Sequence, residues 1–163
     1  MDIKYKLLPD SSRIWIYQAN RKFFDHETKE ITHKANLFVN NWSAHQNPLN
    51  AGAVILKDQF LILAVDENTN GASGCSIDKS TKFINNIENE YEISLLNRSQ
   101  IAYLDGNEVR IVSLNEIKKK IDAHAITKDT LIFNNLVERK GELKRKWMIP
   151  AKDSWMKKYF LEN

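Results

Sequence analysis

A single cysteine in 163 residues means that no internal disulfide can staple the chain. Four histidines and that one thiol make no Cys/His cluster at zinc-finger spacing. The longest unbroken apolar run, Phe60 to Val65, is far below the ~18 residues of a membrane-spanning helix. The opening residues, MDIKYKLLPD, have no signal-peptide core. No stretch reads Gly-x-x-x-x-Gly-Lys-Ser/Thr, the loop that cradles nucleotide phosphates. Repeats, low-complexity tracts and Pro/Gly-rich linkers are also missing. The expectation is a cytoplasmic protein with no membrane insertion and no cofactor. Its length suits one domain, or one domain with an appendage.

The charge is close to balanced but unevenly placed. Residues 1–137 carry 16 Lys/Arg against 17 Asp/Glu, whereas residues 138–163 carry 8 against 4. The basic excess therefore sits in the last stretch, beside Trp147, Trp155, Tyr159 and Phe160.

The most informative segment is FLILAVDENTNGASGCSIDKS, residues 60–80. Six apolar residues in a row predict a strand covered on both faces. Asp66 and Glu67 follow where it leaves the core. Asn68, Asn70, Gly71, Ser73 and Gly74 suit a loop with positive φ angles. Ser76 or Asp78 can cap the next helix, whose Phe83, Ile84, Ile87 and Tyr91 fall on one face.

Around this segment, RIWIYQAN (13–20) reads as a strand. A helix starts at Asp25 or Thr28, with Ile31, Ala35, Phe38 and Trp42 on its core face, and Asn47-Pro48 ends it. Ala53 to Leu56 pairs with Phe60 to Val65 across Lys57-Asp58-Gln59. Ile101 to Leu104 and Val109 to Val112 flank Asp105-Gly106, a strong hairpin signal. Ser113 and Glu116 match a capping box for a helix with Leu114, Ile117 and Ile121 inside. Ile126 to Val137 is open between strand and turn-helix, and a terminal helix follows Pro150. The order β-α-β-β-α-β predicts an α+β, ferredoxin-like sandwich over residues 1–98. Residues 99–163 then form a strand/helix extension or a small second unit.

Several residues could carry chemistry. Cys75, just before a helix start, could be held as a thiolate nucleophile with His45 as its base. It equally suits a small residue packed in a tight loop, and the apolar strand beside it predicts burial and slow reaction with thiol reagents. Ser73, Gly74, Cys75 and Ser76 could present backbone N–H groups to a phosphate or carboxylate, with Asp78 a further ligand-binding candidate at the same helix start. Asp66 and Glu67 stand at the same loop and could instead share a cation with Asp78, but the dense acidic loop of calcium sites is missing and no metal is expected. Lys144, Arg145, Lys146, Lys157 and Lys158 could meet nucleic-acid phosphates, although a pI near 8.9 falls below the usual strongly basic footprint. The expected function is a non-catalytic binding module that recognises a small anionic ligand or a protein partner at the 66–78 loop. A cysteine-dependent enzyme and a nucleic-acid accessory protein are the alternatives.

WIYQANR (15–21), Trp42 with His45, VDEN (65–68), GASGCSID (71–78), FNNLV (133–137) and IPAKDSW (149–155) together resemble a family of small bacterial proteins often labelled "ABC transporter ATPase". The resemblance spans nearly the whole chain and implies no established activity. LILAVDE is similar to a Walker B strand, whose Asp holds Mg²⁺ beside phosphates. Without the phosphate loop that motif has no context, so the ATPase label does not follow. From about Gln100 onward, the strand pair, capping-box helix, Thr127-Lys-Asp-Thr-Leu131 and Trp147 resemble bacterial GYF-type peptide-binding domains, without their defining aromatic-Gly motif.

Overall fold

A computed structural model describes residues Ile3 to Leu161. It divides the chain into two compact units: Met1–Leu96 with Glu138–Gly141, and Asn97–Val137 with Glu142–Asn163. Both are mixtures of helix and antiparallel sheet, so the α+β class holds. The expected cut between residues 98 and 99 takes no account of the four residues that the chain gives back to the first unit.

Unit 1 is built around three strands in the order β1 (Arg13–Gln18), β5 (Phe60–Asp66), β4 (Asn50–Leu56), all antiparallel. The central β5 is the apolar run, and Phe60 through Val65 are all fully buried. Burial of each large side chain contributes ~1.5–3 kcal/mol, which makes this strand the main anchor of the unit. Leu61, Leu63 and Val65 face α2 (Asp25–Asn40) and α3 (Gly74–Tyr91), where Ile31, Ala35, Val39, Trp42, Ile84 and Ile87 complete one core. Across the other face of β4 runs the short α1 (Ile3–Leu7). A Cβ on Gly52 would stand 2.7 Å from the Tyr5 backbone, so only glycine lets α1 approach this closely.

The hairpin between β4 and β5 turns on Lys57 and Asp58, both at positive φ, the primed geometry that matches strand twist. Helix α2 begins at Asp25 and ends at Asn40, earlier than Asn47-Pro48 suggests. Asn41 closes it by donating its side-chain Nδ2 to the Leu37 carbonyl. The residues that follow form a small hairpin, β2 (Ser43–Ala44) with β3 (Asn47–Pro48). Trp42 is therefore a core residue just beyond the helix rather than its last turn.

A ferredoxin-like sheet would place Ile101 to Leu104 beside β1. That segment, β6 (Gln100–Asp105), instead pairs with β7 (Glu108–Ser113) and β8 (Leu131–Phe133) in a separate sheet of order β7-β6-β8-β9, where β9 is Met148–Pro150. The outer edge of β1 is taken by the short return at 138–141: Ile14 N–H donates to the Glu138 carbonyl and Lys140 N–H to the Ser12 carbonyl, both at 2.9 Å.

Unit 2 has its own core of Tyr103, Val112, Ile117, Ile126, Ile132, Ala151 and Met156. Its helix α4 (Ile117–Asp122) is preceded by a tight turn over Leu114–Glu116, and Ser113 makes no side-chain capping bond. The expected capping box therefore does not form, and Leu114 is exposed. Between Pro150 and Leu161 there is no continuous helix but two short tight turns, Ala151–Asp153 and Trp155–Tyr159, the second capped by Ser154 Oγ accepting from Met156 N–H.

Candidate functional site

The loop after β5 is shaped by its own carboxylates. Asp66 Oδ1 accepts from the Asn68 N–H at 3.1 Å and the Asn68 Nδ2 at 2.8 Å. Glu67 Oε2 accepts from the Ala72 N–H at 3.0 Å, and Asn70 Nδ2 donates to the Pro48 carbonyl. These bonds close the turn, and none of Asn68, Asn70, Gly71 or Gly74 has positive φ. The conformational freedom anticipated for them is not used. Both carboxylates have protein partners, and among the described residues no group of three or more His, Cys, Asp or Glu side chains is gathered to hold a metal ion.

The helix cap lies earlier than either Ser76 or Asp78. Ser73 Oγ accepts from the Ser76 N–H and Ser76 Oγ accepts from the Ser73 N–H, a reciprocal pair that satisfies both donors. Ser76 is fully buried, and its carbonyl accepts from Trp42 Nε1 at 2.8 Å, tying the first turn of α3 to the core. An anion at this helix start could not use the Ser73 and Ser76 N–H groups, which are already engaged. Gly74 and Asp78 are exposed, and a Cβ on Gly74 would meet open space.

Cys75 is exposed, contrary to the expected burial, because α3 starts at Gly74 and turns this second residue away from the core. His45 is exposed at the tip of the β2–β3 hairpin, where it and Gln46 take positive φ. No hydrogen bond joins Cys75 to His45, or either side chain to another described residue.

The loop meets two residues that the sequence reading passed over. Arg139 Nη1 lies 3.9 Å from Glu67 Oε1 and donates to the Ser11 carbonyl at 3.2 Å. Its cross-strand partner is Arg13, whose guanidinium lies 4.7 Å from the centroid of the Trp15 ring. Trp15 packs edge-on against Trp42 at 5.7 Å. A lone arginine in a strand and another far along the chain carry no joint sequence signal, since only the folded sheet edge brings them together.

The basic residues of unit 2 are spread out. Lys144, Arg145 and Lys146 are exposed on one wide turn, Leu143–Trp147, with Lys146 Nζ 2.8 Å from Glu142 Oε1. Consecutive residues of a helical turn point in different directions, so the three do not share a face. Lys157 and Lys158 are exposed on the last turn, the latter over the Tyr159 ring at 5.3 Å. Trp147 is buried, with its indole N–H donating to Asn135 Oδ1, and so offers no stacking platform.

No protein-family model, curated protein or solved structure matches this chain. Among the described residues, no helix is long and apolar enough to cross a membrane.

Proposed function

We propose that the chain is a cytosolic, non-catalytic binding module whose recognition surface is the end of unit 1 formed by residues 66–78, and that its ligand is a small anion. The supporting observation is how the loop spends its polar groups. Asp66, Glu67, Ser73 and Ser76 all hold the loop and the helix start in place, leaving Gly74, Cys75 and Asp78 on an exposed rim. A surface fixed in advance loses little entropy on binding. A cysteine nucleophile needs a base within hydrogen-bond reach, and Cys75 has none among the described residues. Kinship with the small bacterial family belongs to this proposal; its ATPase label does not. A ferredoxin-like ancestry for unit 1, with the fourth strand reduced to the return at 138–141, is the fold relationship we infer.

The test uses the sole cysteine. An environment-sensitive fluorophore on Cys75 is titrated with a panel of small phosphates and carboxylates. The expected result is a saturable change with at least one of them below ~1 mM. No saturable response to any panel member, combined with an esterase activity that vanishes in Cys75→Ser, would replace this reading with the cysteine enzyme.

A further inference from the structure

The edge of β1 in unit 1 holds two arginines directly opposite each other. The hydrogen bonds on either side of the pair run from Ile14 N–H to the Glu138 carbonyl and from Lys140 N–H to the Ser12 carbonyl. That pattern makes Arg13 and Arg139 a non-hydrogen-bonded antiparallel pair, the class with Cα atoms only ~4.5 Å apart and side chains on the same face. Like charges so placed repel. The compensation nearby is meagre. Glu67 reaches Arg139 at 3.9 Å while its other oxygen is engaged by Ala72, and Arg13 has no acidic partner among the described residues.

Each guanidinium has a contact that orients it. Arg13 is half-buried and lies over Trp15, itself fixed against Trp42. Arg139 is anchored by the Ser11 carbonyl. Among the described residues only Arg139 has a carboxylate beside it, Glu67, so the two forks keep donors unused, and guanidinium forks match the oxygens of a phosphate. Ala72, the partner of Glu67, runs directly into the start of the 18-residue helix α3, whose dipole also favours negative charge.

We propose that Arg13 and Arg139 together bind the phosphate group of a small phosphorylated molecule, with Glu67 as the charge that the phosphate displaces. The proposal rests on the reading of this end of unit 1 as a binding surface. Two guanidiniums match the charge of one phosphate dianion, whereas nucleic acid presents a row of charges.

The experiment compares thermal unfolding of the full chain in inorganic phosphate and in sodium chloride of equal ionic strength. Phosphate at saturating concentration raises Tm by about 3 °C. Arg13→Gln and Arg139→Gln each weaken the apparent affinity about tenfold, whereas Lys152→Gln in unit 2 leaves it unchanged. Glu67→Gln keeps an oxygen for Ala72 but removes the competing charge, so phosphate affinity rises about threefold. A purely structural role for the arginines would not produce that gain. Equal Tm in phosphate and chloride, or a phosphate shift that survives both arginine substitutions, overturns the proposal. If the Cys75 fluorophore responds to another anion while the arginine variants behave as wild type, the phosphate assignment fails and the binding surface stands. If phosphate stabilises through the arginines but leaves the fluorophore silent, the arginine site stands and the loop reading fails.

Discussion

In unit 1 a central strand with six fully buried residues in succession packs against helices of 16 and 18 residues. Among the described residues of unit 2 the only α-helix has six residues, two of the four strands have three, and the core takes single residues from many short segments. Unit 1 is held by whole faces of long elements. Unit 2 is held by turns, such as the Gly106 hairpin, the Thr127–Thr130 bond at 2.8 Å and the Ser154 cap. Long faces can position a surface rigidly, and the candidate site lies where the central strand β5 leads into the 18-residue α3.

Core truncation should separate the two units most strongly. Trp42 fills the centre of unit 1, donates to Ser76 and touches Trp15 and Phe38. Trp42→Ala should cost about 4 kcal/mol, and the orphaned Ser76 carbonyl adds to the loss. Met156, equally buried in unit 2, is a flexible filler, so Met156→Ala should cost nearer 2 kcal/mol. Urea denaturation read by circular dichroism gives both values, and the reverse ranking would break the comparison.

Gly52→Ala is the next largest effect. The added methyl meets Tyr5 backbone atoms at 2.7 Å, which cannot swing aside as a side chain can. A loss of about 2 kcal/mol is expected as α1 shifts outward. An unchanged urea midpoint would show that α1 contributes little to unit 1.

The elements read most securely were those with a period. Ile31, Ala35, Ile84 and Ile87 all face the core as their spacing requires, because 3.6-residue periodicity survives whatever the rest of the fold does. Boundaries were less legible. A cap at Ser76 or Asp78 leaves Cys75 outside the helix, and the apolar strand beside the loop points to burial; the cap is instead Ser73, so Cys75 lies inside the helix and in solvent. The partner on the outer edge of β1, away from β5, was not legible at all. Pairing depends on long-range closure, so Ile101 to Leu104 and the return at 138–141 were equally available in sequence terms. The arginine pair was invisible for the same reason.

A pH dependence should appear in unit 1. Glu27 is buried, accepts both Arg21 guanidinium nitrogens at 2.8 and 2.9 Å, and accepts the Phe24 N–H. The Arg21 hydrogen bonds hold its carboxyl below the usual range, against the opposing effect of burial. The unfolded chain therefore binds the proton more readily. The contribution is complete above the unfolded carboxyl value near ~4.3 and is lost as pH falls through the lower folded value. Glu27→Gln should cost about 1.5 kcal/mol at neutral pH and flatten the acid limb. An acid limb as steep as that of wild type would assign the dependence to other carboxylates.

Gly106→Ala probes the turn chemistry of unit 2 alone. Its φ of +62° disfavours a side chain, yet a Cβ there would meet nothing within 4 Å. The cost is purely conformational, about 1 kcal/mol. A loss well above that would mean that unit 2 depends on this hairpin far more than its remaining strands suggest.

The central claim, that ligand binding belongs to unit 1 at the arginine pair and the loop beside it, is tested most directly by amide hydrogen exchange of the full chain in phosphate against chloride at equal ionic strength. The account predicts slower exchange in residues 12–14, 67–77 and 138–141, with no change across 97–137 and 142–161. Protection confined to unit 2, or no difference anywhere at saturating phosphate, would contradict it.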